Sequence, residues 1–203
     1  MRPLSNEFTI DYPTSDYQTD DYWTNNYPTN DKEALMTTLN FPVSREHFVT
    51  FLIAAKQNTY AAQGGAGAAV TPLLPASHQL EYQTGQLLYR DIYFGSAYFA
   101  GQETVYYDAT PVWSMVYAGG ALKNLPRSIR STMKMPQLYA FLQAALRHAP
   151  AEHPYRGPAF WEAADFIYNN EIHGNLERFW GIEAISYQDV AVYQLHYSGG
   201  VLR

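Results

Sequence analysis

Cysteine is absent from the 203 residues, which excludes disulfides, thiolate zinc sites and a cysteine nucleophile. Charge is sparse as well: Asp, Glu, Lys and Arg make up 16% of the chain, against roughly 25% in an average soluble protein. No apolar run approaches the roughly 18 residues that a membrane helix needs, and no hydrophobic stretch follows basic residues near the N-terminus. The expectation is a soluble, cytoplasmic chain without membrane contact. The histidines (His47, His78, His148, His153, His173 and His196) show no HxxxH pairing, so no metal is expected. No Gly-x-Ser-x-Gly elbow occurs, and AAQGGAGAAV at 61–70 lacks the Gly-Lys-Ser/Thr ending of a phosphate loop. Neither a cofactor nor a catalytic residue is assigned by motif.

What is abundant is aromatic. Hydrophobic residues make up 47% and aromatics 16%, with 18 tyrosines, and a chain of this length buries roughly 70% of its extended surface on folding. The charge is uneven: in residues 1–33 only Arg2 and Lys32 oppose Glu7, Asp11, Asp16, Asp20, Asp21, Asp31 and Glu33, so this arm carries -5 of the formal -6. Its pentapeptides DYPTS, DYQTD, DYWTN and NYPTN set Tyr12, Tyr17, Tyr22 and Tyr27 five apart, a period that fits neither helix nor strand. We expect a low-complexity arm at 1–33, a tether or a row of stacking tyrosines, ahead of one domain at 34–203. The arm's own partner stays open. A near-neutral body argues against a nucleic-acid-binding surface. One basic interval, with Lys123, Arg127, Arg130, Lys134 and Arg147 and no acid between Asp108 and Glu152, reads as solvated surface or as an anion site or dock for the arm.

The body repeats itself. FAGQETVYYDATPVWSMVYAGG (99–120) lies over FWGIEAISYQDVAVYQLHYSGG (179–200) at an offset of 80, with eight of 22 positions identical, among them Gly101/Gly181, Glu103/Glu183 and Tyr117/Tyr197. A helical stripe precedes each copy. One starts at Ser44, a plausible N-cap, with Phe48, Phe51, Leu52 and Ala55; the other starts at Pro136 with Leu138, Phe141, Leu142, Ala145 and Leu146. Three aromatic, β-branched runs follow each stripe. The expected fold class is therefore α+β: two tandem α-β-β-β repeats, about 44–120 and about 136–200, forming antiparallel sheet or sheets with one helix from each repeat packed on it.

Alternation along a strand puts Glu103 on one face with Phe99, Val105 and Tyr107, and Glu183 with Phe179, Ile185 and Tyr187. Two half-buried carboxylates across a pseudo-twofold cleft would suit cation recognition or general acid/base work. Alternatively, each accepts hydrogen bonds from tyrosines of its own repeat. Trp113, Tyr117, Tyr193 and Tyr197 are candidate pocket walls as well as candidate core. Arg90 and Asp91 face Asn169 and Asn170 in the alignment, a charged pair in one half only. An Arg90–Asp91 ion pair is its plain explanation, and Arg90 joins the candidate ligand-binding set.

The strings GQE..YY...PVWSM.Y.GG (from Gly101) and YRGP (155–158) make residues 45–203 resemble an uncharacterised bacterial domain-of-unknown-function family, whose members sometimes follow an Xre-type helix-turn-helix. The resemblance implies a sensory or regulatory setting and no particular reaction. Here the tyrosine-repeat arm, poor in helix formers, stands where that DNA-binding module would be. We therefore expect a non-enzymatic module that binds a small apolar or cationic ligand between the repeats, using Glu103, Glu183, Trp113, Tyr117, Tyr193, Tyr197 and Arg90. A hydrolase or isomerase using a repeat glutamate, and a purely structural or interaction module, are the alternatives.

Overall fold

The computed structural model describes residues 41–61 and 69–202. The acidic arm and residues 62–68 of the glycine-alanine segment lie outside the described residues. Helix α1 (Arg45–Asn58) starts where Ser44 Oγ accepts the His47 amide at 3.2 Å, which satisfies one of the amides a helix start leaves free. It buries Phe48, Val49, Phe51, Leu52 and Ala55 together with Lys56. A short α2 (Arg127–Thr132) leads to α3 (Met135–Leu146), which carries a proline in its first turn, where no amide is needed. Laid over α1, α3 matches Phe48 with Leu138, Leu52 with Leu142 and Ala55 with Ala145. Lys56 then stands where α3 has Leu146.

After α1 come β1 (His78–Thr84), β2 (Leu87–Gly95), β3 (Tyr98–Tyr107) and β4 (Thr110–Ala121). After α3 come β5 (Phe160–Ala163), β6 (Phe166–Asn175), β7 (Arg178–Tyr187) and β8 (Val190–Val201). All eight form one antiparallel sheet in the order β1-β2-β3-β4-β8-β7-β6-β5. Within each group of four, consecutive strands are joined by two-residue loops, at 85–86, 96–97 and 108–109 and at 164–165, 176–177 and 188–189. In the loops at Asp108-Ala109 and Gln188-Asp189 both residues have positive φ, between 45° and 66°. That is the backbone hand that matches strand twist in a tight hairpin.

The two groups meet at β4 and β8, where Tyr117 pairs with Tyr197, its own counterpart at the offset of 80. The topology therefore has a local twofold between these tyrosines. Gly119 pairs with Leu195, and Gly199 with Met115, across the same seam. A Cβ on Gly119 would run into Gln194 O and Leu195 Cα, so the strands close here only because the side chain is missing.

One face of the sheet carries the core: Tyr89, Val105, Trp113, Met115, Tyr168, Ile185, Tyr193 and Leu195 are buried. Helix α1 packs on β1 and β2, and α3 on β5 and β6. Tyr155, in the segment between α3 and β5, stacks on Phe179 at 3.7 Å. The other face leaves Phe94, Val116 and Trp180 exposed.

This corrects the expected α+β fold of two α-β-β-β repeats. A single eight-stranded antiparallel sheet dominates, helices are few, and each group has four strands. The additional strands are β1, HQLEYQT, and β5, FWEA. Neither is a continuous aromatic or β-branched run, and β5 is too short to show a period. Both sit at a sheet edge, where a strand buries little and its composition is weakly constrained.

Candidate functional site

The same device is built in both groups of strands. Tyr117 on β4 lies across Gly101, its partner on β3, and its hydroxyl donates to Asp91 Oδ1 on β2 at 2.7 Å. Tyr197 on β8 lies across Gly181 on β7 and donates to Asn170 Oδ1 on β6 at 2.8 Å. A Cβ at Gly101 would sit 2.5 Å from the Tyr117 hydroxyl, so glycine is what lets the ring span a strand. Asp91 and Asn170 in turn face Glu103 and Glu183 directly across the strand pair.

The glutamates differ in what surrounds them. Glu183 is fully buried and saturated: Arg156 donates to both of its oxygens, from Nε at 3.0 Å and from Nη2, while the Tyr168 and Tyr193 hydroxyls donate at 2.8 and 2.9 Å. Beside it Asn170 accepts from Tyr197 and donates to Gly157 O at 3.0 Å. Glu103 pairs with the buried Lys56 ammonium from α1. Burial lowers the Lys56 pKa more than the Glu103 charge raises it. Tyr89, next to Glu103, is held neutral chiefly by burial and then by Glu103 and Asp91.

Against this cluster lies a cavity of about 30 Å³. Its charged lining is Lys56, Asp91, Glu103 and Arg156. Tyr60, Tyr89, Phe99 and Tyr117 supply aromatic walls, and Ala61, Leu142 and Leu146 an apolar side. Arg147 ties the ends of the two helices together, donating to Ala61 O at 2.9 Å. Asp91 is the least satisfied acid of this space. It is 3% accessible, and its one hydrogen bond from the described residues is the Tyr117 hydroxyl on Oδ1. Burial, and then the Glu103 charge opposite, push its carboxyl up to about 7, against the pull of Tyr117, Lys56 and Arg156.

The raised value has a cost with a definite sign. Folded Asp91 keeps its proton to about 7, whereas the unfolded carboxyl loses it near 3.8. Between those limits the folded state binds more protons, so this group's contribution falls as pH rises from about 4 to about 7 and is least favourable above. Asp91→Asn should therefore be more stable than wild type at pH 8, by about 4 kcal/mol at most, with the gap closing toward pH 4. Urea unfolding of both proteins across that range measures it. A variant less stable than wild type at pH 8 would show that Asp91 is ionised and well compensated.

Of the residues singled out from the sequence, Glu103 and Tyr117 line the cavity. Glu183, Tyr193 and Tyr197 belong to the closed cluster around Arg156. Trp113 is fully buried, stacks on Phe179 at 5.8 Å, and carries the one buried side-chain polar atom without a partner among the described residues, Nε1. Arg90 lies on the opposite face, bonded to Glu81 at 2.6 Å and placed over Tyr106, so no Arg90–Asp91 ion pair forms. Successive strand residues point to opposite faces. Lys56, Tyr60, Asp91 and Arg156 were not in the sequence-derived set. A signal existed for two of them: Lys56 continues the buried Phe48-Leu52 stripe, and Asp91 alternates with Leu87 and Tyr89. Of the basic interval, Lys123, Arg127, Arg130 and Lys134 are exposed.

Fold and site together define an antiparallel-sheet domain whose helices cap one face and enclose a small charged cavity. Residues 91–202 match the family model described as a domain of unknown function (DUF5680), and the chain belongs to that family. The matched stretch holds Asp91, Glu103, Tyr117, Arg156 and Glu183, while Lys56 and Tyr60 precede it. No curated protein and no solved structure matches the chain. No helix among the described residues is long and apolar enough to cross a membrane.

Proposed function

We propose that the chain is a non-enzymatic small-molecule-binding module, and that its site is the cavity in the first group of strands. One observation carries this. At equivalent positions of a twofold device, Asn170 has its amide satisfied on both sides, while Asp91 presents a carboxyl with one bond to a cavity. A buried acid with spare acceptor capacity destabilises a fold, and such groups persist where a ligand meets them. The second cluster, with Glu183, Arg156 and three tyrosines, is a scaffold.

A thermal-shift screen with molecular fragments of up to about three heavy atoms, the size the cavity admits, tests the proposal, with Leu146→Trp as control. Leu146 lines the cavity from α3, and an indole there fills it. Fragments that stabilise wild type and not Leu146→Trp support the site. Fragments that stabilise both equally, or none that stabilises wild type, would overturn it.

General acid/base catalysis is a second reading, favoured by the Asp91 carboxyl being poised near neutrality. In that case Asp91→Asn would abolish turnover of a bound compound that it still binds.

A further inference from the structure

Building on the small-molecule reading above, we propose that the cavity takes a small monocation of the primary ammonium class, R–NH3+, with Asp91 as its anchor. The charges that face one another here are Lys56 from α1, Asp91 from β2, Glu103 from β3, Glu183 from β7 and Arg156 from the segment before β5. Three carboxylates thus meet two cations. Lys56 is paired with Glu103, and Arg156 with Glu183. Asp91 is left as the acid without a counter-ion of its own. Lys56 and Arg156 act on it across the cavity but are each held by a glutamate, and the other groups around it add no positive charge: the Tyr117 hydroxyl from β4, the phenols of Tyr60 and Tyr89, and from α3 only Leu142 and Leu146.

An uncompensated carboxylate at this depth has two remedies, a proton or a cation. An anionic ligand would be set against Asp91 and Glu103, and a neutral one would leave the imbalance in place. An ammonium group corrects it, donating to Oδ2, which no described residue does. Tyr60, Phe99 and Tyr117 line the cavity with aromatic rings, a side-chain type whose faces attract cations. Size sets a second limit. A cavity of about 30 Å³ has room for a group no larger than one or two waters. An ammonium head fits and a quaternary ammonium does not. Any substituent R has Ala61, Leu142 and Leu146 as its apolar contact.

The test uses the full chain and four probes at equal ionic strength: ammonium, methylammonium, tetramethylammonium and, as a neutral polar molecule of similar size, formamide, each against sodium chloride. At pH 8 and tenfold over half-saturation, ammonium and methylammonium should raise the melting temperature by about 3 °C. Tetramethylammonium should not. Because the proton competes for a carboxyl that titrates near 7, apparent affinity at pH 6 should be about tenfold weaker than at pH 8. Asp91→Asn should lose the response, and it is expected to fold because Asn170 fills the equivalent place in the second group. Persistence of the shift in Asp91→Asn would overturn the assignment of the anchor. A response to formamide alone, lost in Leu146→Trp, would overturn the cation class and leave the binding module standing. No response to any probe would overturn the cation class, and the binding module with it only where the fragment screen is blank as well.

Discussion

Glu183→Ala should cost about 4 kcal/mol of folding free energy and lower the melting temperature by about 10 °C. The carboxylate is fully buried and is the common acceptor for Arg156, Tyr168 and Tyr193. Its removal leaves a guanidinium and two phenols buried without an acceptor, and an orphaned buried charge is costlier than the pair was worth. The contrast is with Glu103→Ala. Burial already weakens the hold of Lys56 on its proton, so that amine can shed its charge when its partner goes, which a guanidinium cannot. The loss there should be visibly smaller. Removing both partners, as in Glu183→Leu with Arg156→Met, should recover much of what Glu183→Ala loses. Urea unfolding of the four proteins measures this. A loss below about 1 kcal/mol for Glu183→Ala would mean that the cluster does not hold the second group together.

Gly119→Ala should be comparably damaging, by about 3 kcal/mol or more, although it adds one methyl group. The added carbon meets Gln194 O and Leu195 Cα on the facing strand, and backbone in the middle of a ladder cannot step aside as a flexible side chain can. To admit it, β4 and β8 must part at the row that joins the two groups. Chemical denaturation should show a lower midpoint. An unchanged midpoint would mean that the seam is looser than its register implies.

The repeat made part of this legible. Gly101/Gly181, Glu103/Glu183 and Tyr117/Tyr197 stand at one offset because each triple is a single mechanical unit, a tyrosine laid across a glycine beside a buried acid. The tyrosine's target on the third strand was also visible, as Asp91 against Asn170. Adjacency in sequence suggests an ion pair with Arg90 instead, but the pleat sends the Arg90 side chain to the other face. Lys56 and Arg156 were harder to see. They reach the glutamates from a helix and from a segment outside the strands, and such long-range approaches leave no local pattern, apart from a lysine continuing an apolar stripe. Trp113 and Tyr193 show the opposite failure, since an aromatic on the core face looks the same in sequence whether it walls a pocket or fills a core. The two edge strands lack both period and burial, so the sequence pattern shows three strands for each group where the fold has four.

The strand order also sets how the chain can assemble. Every pairing within a group joins strands separated by two residues, so each four-stranded meander closes through short loops. Only β4 and β8 join distant segments, with Ala121 meeting Tyr193 and Trp113 meeting Val201. Closing that long loop carries the largest entropic cost in the fold, and it is met only once partner strands exist to be joined. The meanders should therefore form early and the seam late. In stopped-flow experiments a seam substitution such as Gly119→Ala should mainly speed unfolding, while substitutions inside a meander should slow folding.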